Sequence, residues 1–211
     1  YTTESDATDG FDPGMCFPQS RFDPRAMFDE LLALVKKHIT AVALRELVES
    51  ILNEHREQLL AMPGARHLHH AYVGGLLEHT LSVTRTCVFL ARTYSEYYPE
   101  MTPPLDKDLV VAGGVLHDIG KLRELAVEAT ETHYTAEGEL IGHLLLGRDM
   151  VREAAAQSEL DAESLLRLEH LILSHQRLPE WGSPKPPMTP EALLVHYADD
   201  TDAKYNMMAT I

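Results

Sequence analysis

Cysteine is nearly absent from this chain: Cys16 and Cys87 are the two among 211 residues. Two cysteines exclude a disulfide framework, and a reducing, cytoplasmic setting is the default expectation. Cys87 sits in an apolar helical pattern and reads as a small core residue. No apolar run approaches the ~20 residues that cross a bilayer, so no membrane is expected as a partner. The first residues carry neither a basic nor an apolar stretch of the kind a signal peptide has. Basic charge is short as well: 18 Lys and Arg against 33 Asp and Glu leave a formal net charge of −15. A field of that sign excludes a protein that grips nucleic acid through its overall charge. It does not exclude phosphate chemistry, because bound divalent cations bring local positive charge that residue counting omits. Also missing are internal repeats, low-complexity tracts and apolar–polar alternation of strand length, and the last absence points to an all-α chain.

What is present is an ordinary supply of core residues, 45% hydrophobic with 24% charged, enough for a globular domain. Residues 1–23 are acidic and punctuated by Gly and Pro, and read as an extended arm or linker. Residues 24–211 read as one compact helical bundle with short loops. Asp23-Pro24 is a cap and first-turn pair opening the first helix. Helical spacing predicts further helices over about 43–62, 73–97, 107–122, 137–157 and 162–175, and a last one from about Thr189.

Twelve histidines carry the chemistry, since a neutral imidazole is the commonest metal ligand. The pivot is His117-Asp118-Ile119-Gly120, followed by Lys121, closing the apolar segment LVVAGGVL (109–116). Adjacent helix positions lie ~100° apart, so His117 and Asp118 can flank one ion while Val115, Leu116 and Ile119 pack inward. Gly120 suits a sharp exit at a helix end. His79 in GGLLEHTLSV and Asp199 in HYADDTDAK complete a mixed nitrogen and oxygen set. Such a set suits Mn²⁺, Fe²⁺, Ni²⁺, Mg²⁺ or Zn²⁺, and ligand softness does not choose among them. His143, His170 and His175 could extend it. With Asp118 bridging, His143 and His175 could hold a second ion, and two ions about 3.5–4 Å apart would activate water and clamp a phosphoester. For any one histidine the plainer reading is a core imidazole satisfied by a carbonyl. Several buried imidazoles and two buried carboxylates in one small bundle, however, would be costly without a metal.

The ordered series His…His-Asp…Asp resembles the HD superfamily of metal-dependent phosphohydrolases. Within it the chain is most similar to the HD domain of the YhaM-type 3′→5′ exoribonucleases. The resemblance rests on HHAYVGGLLEHTLSV (69–83), AGGVLHDIGKLREL (112–125), YTAEGELIGHLLLG (134–147) and the segment 168–204 that contains LEHLILSHQRL and HYADDTDAK. It implies His79, His117, Asp118 and Asp199 as primary ligands of a divalent ion, one or two per chain. It further implies His143 and His175 for the second ion, and Lys121 as a contact to phosphate or metal-held water. Two departures stand out. Family members read LSHHG where this chain has Leu173-Ser174-His175-Gln176-Arg177. The exoribonucleases also carry an OB-fold ahead of the HD domain, which residues 1–23 are too short to form.

Around this set, His70 is a candidate substrate-side or proton-shuttling residue and His69 a structural partner, the alternative for both being a loop histidine packed on the bundle. Glu78 could orient His79, or be a solvated helix position. Arg177, Trp181 and Lys185 are candidate substrate contacts: cations for phosphate and an aromatic ring for a base. The alternative for the loop 176–187 is a Pro-rich connection with one aromatic anchor. Glu137 and Glu139 suit a helix N-terminus, and His196 a supporting position behind Asp199. The leading expectation is a phosphodiesterase acting through metal-activated water on a nucleotide or RNA 3′ end, with nucleotide or single-stranded RNA as partner. A phosphomonoesterase, a cyclic-nucleotide phosphodiesterase and a catalytically silent nucleotide-binding module are the alternatives, and a homo-oligomer is allowed.

Overall fold

The computed structural model describes residues 20–65, 72–128 and 131–209. The order of elements is α1 (Pro24–His38), α2 (Val42–Glu54), α3 (Arg56–Ala61), α4 (Gly75–Tyr97), α5 (Lys107–Leu116), α6 (Lys121–Glu124), β1 (Leu125–Val127), β2 (Thr132–Tyr134), α7 (Ala136–Leu140), α8 (His143–Ala155), α9 (Ala162–Ser174) and α10 (Pro190–Ala209). The all-α bundle expected from the sequence is the architecture observed, and the described helices include none long and apolar enough to cross a membrane.

Local chemistry explains the helix starts. Asp23 accepts a hydrogen bond from the Arg25 amide ahead of Pro24, and Asp161 accepts from the amides of Glu163 and Ser164. Asp106 caps α5 and Thr135 caps α7 in the same way, each occupying amides that the first helical turn leaves without a partner.

The axis of the fold is α5. Every residue from Leu109 to Leu116 is buried, and α4, α10, α9, α1 and α2 all pack on it. Two adjacent glycines permit this closeness. A Cβ at Gly113 would meet Leu171 Cδ2 of α9 at 2.4 Å, and one at Gly114 would meet the Cys87 sulfur of α4 at 2.9 Å. Packed around the axis are Phe28, Leu31 and Val35 from α1, Leu47, Ile51 and Leu52 from α2, and Val195 and Ala198 from α10. Each large apolar side chain buried in this way contributes on the order of 1.5–3 kcal/mol. Cys87 is buried here, and burial pushes its thiol up.

The structure divides several expected helices. The run 43–62 breaks at His55 into α2 and α3. The helix expected over 107–122 stops at Leu116, and a turn carries His117 to Gly120 before α6. The helix expected over 137–157 breaks at Gly142, whose φ of +81° is the left-handed region where a side chain would be strained. A short antiparallel pair, Leu125–Val127 with Thr132–Tyr134, lies where no strand was expected; three residues per strand are too few for alternation to register.

Most of the acidic arm assigned to residues 1–23, together with His69 and His70, lies outside the described residues. Ser20 joins the bundle: its amide donates to the Val73 carbonyl at 3.0 Å and its hydroxyl to Glu78 at 2.6 Å.

Candidate metal centre

Six donors from five stretches of chain converge where α4, α5, α8, α9 and α10 meet. His79 lies at the start of the second turn of α4, and Asp199 in the middle of α10. His117 terminates α5, Asp118 follows in the turn, His143 opens α8 and His175 terminates α9. His79, His117, Asp118 and His175 are each 0–2% exposed, and Asp199 is 7% exposed.

Asp118 faces two groups with its two oxygens. On one side, Oδ2 lies 3.6 Å from Nε2 of both His79 and His117. Asp199 Oδ1 is 3.2 Å from His79 Nε2 and 3.8 Å from His117 Nε2, and the two imidazole nitrogens are 3.2 Å apart. On the other side, Oδ1 lies 3.4 Å from His143 Nε2 and 3.5 Å from His175 Nε2. Donors sharing one ion at about 2.1 Å sit about 3.0–3.5 Å from one another, and these separations of 3.2–3.8 Å lie in or just beyond that range. Asp118 Oδ1 and His143 Nε2 are buried and have no hydrogen-bond partner among the described residues. Orphaned buried polar atoms of this kind are costly unless something pairs with them, and a divalent cation fits them. His79, His117 and Asp199 form one group able to hold an ion; His117, Asp118 and His175 form another.

The far nitrogen of each imidazole is held. His117 Nδ1 pairs with the Gly114 carbonyl at 2.9 Å and His175 Nδ1 with the Ile172 carbonyl at 2.8 Å. His143 Nδ1 pairs with Glu124 at 3.1 Å, and His79 Nδ1 with Asp202 at 2.7 Å. Partners that accept from Nδ1 fix the ring and turn the Nε2 lone pair toward the shared space. Asp202 is in turn held by the Ser82 hydroxyl.

Electrostatics follow from this crowding. Burial alone would push the Asp118 carboxyl up. The Lys121 ammonium, 2.7 Å from Oδ2, and the neighbouring imidazoles outweigh burial and hold the carboxyl well below its usual range. Burial would likewise lower Lys121, but the Asp118 charge raises it. His117 is lowered to about 4, chiefly by burial. For His79 burial acts in the same direction but loses to Asp199 and Asp202, which raise it to about 9. Facing nitrogens at 3.2 Å cannot both carry a proton toward each other, and these opposite shifts divide the pair accordingly.

Lys121 is buried, and its ammonium reaches the Gly64 carbonyl at 2.8 Å as well as Asp118. Arg177, Trp181 and Lys185 are exposed on the segment that leaves His175, with Trp181 on a short 3-10 turn over Pro179–Trp181. Other candidates fall elsewhere. His170 is not drawn into the cluster: its Nε2 accepts from the Met188 amide at 3.0 Å. Glu78 pairs with Ser20, so the carboxylate beside His79 is Asp202. His196 bonds the His175 carbonyl at 2.7 Å, and Glu137 and Glu139 are exposed in the first turn of α7. Gly120 closes the turn that ends α5, at an ordinary φ of −64°. It is glycine because a Cβ would stand 2.0 Å from the His143 carbonyl and 2.4 Å from the Gly147 amide. Its closeness docks α8, and with it His143, against the turn that carries Asp118.

The sequence matches the HD domain family over residues 76–204, a stretch that contains all six converging donors. The chain belongs to that family. No solved structure matches it. The HD domain implies metal-dependent phosphohydrolase activity, and the buried His and Asp groups supply donors for such a metal. Within this HD domain, Asp202, Glu124 and Ser82 are the functional neighbours that sequence reasoning did not single out. Asp202 had a usable signal, since it lies three residues after Asp199 and therefore on nearly the same helix face.

Proposed function

We propose that the protein is a phosphodiesterase that cleaves a nucleotide or the 3′ end of single-stranded RNA, in the manner of a 3′→5′ exoribonuclease. The observation that carries the reading is Asp118, one carboxylate whose two oxygens each face a pair of imidazole nitrogens. In this reading His79, His117, Asp118 and Asp199 hold one divalent ion, and Asp118, His143 and His175 a second. Such ions acidify a bound water and offset charge on phosphoryl oxygens.

The chain's own residues do the remaining work. Asp202 and Glu124 keep the His79 and His143 rings aligned by accepting from Nδ1. Lys121 neutralises part of the Asp118 charge and ties the turn 117–120 to Gly64. The burial of His117, Asp118 and His175 excludes bulk water, which strengthens each electrostatic contact. Arg177 and Lys185 offer cations to the phosphates of an entering strand, and Trp181 a face for a base. His70 serves as a proton-shuttling residue.

The test is a substrate panel with purified protein and Mn²⁺: a chromogenic phosphodiester, 5′-labelled single-stranded RNA, cyclic nucleotides and mononucleotides. Diester cleavage with stepwise shortening of the RNA from its 3′ end, lost in His117→Ala, is the expected result. Release of inorganic phosphate from mononucleotides alone would replace this reading with a monoesterase, and inactivity on every substrate would sink it.

A further inference from the structure

We propose that Gln176 sets the strength of the second ion position by occupying the His175 lone pair; this rests on the two-ion reading above. His175 has two ring nitrogens. Nδ1 is committed to the Ile172 carbonyl at 2.8 Å, so Nε2 carries the lone pair that an ion would take. The Gln176 side-chain nitrogen lies 3.1 Å from that same Nε2. A carboxamide nitrogen donates a proton and has no lone pair to offer a cation. The amide therefore competes with an ion for one lone pair instead of adding a ligand.

Geometry keeps the competitor in place. Gln176 is half-buried, and the next residue, Arg177, has φ +69° with its amide donating to the Ser174 carbonyl at 2.8 Å. The tight turn over 174–177 thus holds the residue after His175 beside its ring. The first position is contested differently, by the Lys121 ammonium 2.7 Å from Asp118 Oδ2. The nitrogens of His79 and His117 face each other and the Asp118 and Asp199 carboxylates. The consequence is a second position weaker than its ligands alone would make it, beside the His79–His117–Asp199 position. The position between Asp118, His143 and His175 fills only when the amide swings away.

Calorimetric titration of the metal-stripped protein with Mn²⁺ reads both steps without any turnover, and electron paramagnetic resonance distinguishes an isolated Mn²⁺ from a coupled pair. In Gln176→Leu, which keeps the side-chain bulk but donates nothing, the second step tightens by about fivefold, the scale of one neutral hydrogen bond. The first step stays unchanged, which also shows that the variant folds. Gln176→Ala gives the same direction without the added apolar bulk. A second step left unchanged in both variants overturns the proposal. So does a weaker second step, which would make the amide oxygen a ligand. Wild-type protein that binds no Mn²⁺ at all would overturn the two-ion reading itself, a result separable from either of these.

Discussion

The two halves of the centre are built differently. His79 and Asp199 project from the second turn of α4 and the middle of α10, helices 23 and 20 residues long. His143 and His175 sit at the ends of α8 and α9. A donor inside a long packed helix is placed by the whole interface of that helix. A donor at a helix end is placed by a turn, and three local features carry that load here: Gly142 at φ +81°, Arg177 at φ +69° and the close approach at Gly120. Bracing differs in the same sense. Asp202 comes from the same long helix as Asp199, while Glu124 comes from the four-residue α6. Apart from His117 at the end of α5, the first half is thereby preorganised by the core, and the second depends on local turns that a single substitution can shift.

Asp118 belongs to both halves, so its loss should erase the distinction. Asp118→Ala should abolish both ion-binding steps and lower hydrolysis by about a thousandfold, since a bound ion is worth several kcal/mol of transition-state stabilisation. Elemental analysis and turnover measured together check this, and retention of one ion would break the shared-carboxylate picture.

Gly120→Ala tests the turn-dependent half. The Cβ meets backbone on α8 and cannot be accommodated by a side-chain rotation, so a destabilisation of about 3 kcal/mol is expected from overpacking. For a domain of this size that is a fall in Tm of roughly 6–12 °C. In the protein that still folds, the second ion step should weaken while the first survives.

The bracing carboxylates separate the halves next. Asp202→Ala should weaken the first step, and Glu124→Gln the second, each by about 10- to 100-fold, the usual scale for a partner that orients a ligand. Equal effects of either variant on both steps would merge the halves into one unit. Smallest of all, Lys185→Ala should raise KM for RNA by about threefold, the scale of one phosphate contact, and leave both ion steps untouched.

Much of this was legible in one dimension. Histidine and aspartate recurring beside apolar residues marks polar groups facing a core, and His79, His117, Asp118, His143, His175 and Asp199 do converge. The pattern could not say which supporting groups would meet them. Glu78 adjoins His79 in sequence yet points to Ser20, because adjacent helix positions diverge by ~100°. Asp202, 123 residues away, meets the ring instead, because α10 packs against α4. His170 carried the same sequence signal as His175, and its nitrogen is used by the Met188 amide. The glycine at 120 was legible as necessary but not for its reason, since a close approach to α8 leaves no trace in local spacing.

The sequence by itself determined the helical class, the burial of the polar series and its donor chemistry, all of which follow from residue type and a 3.6-residue period. The tertiary structure decided how the donors divide into two groups about Asp118, and which carboxylate braces which ring. It also decided that Gln176 lies on the His175 lone pair. Those outcomes depend on where helices from distant parts of the chain cross, and the crossings are set by side-chain packing rather than by any neighbour in the sequence.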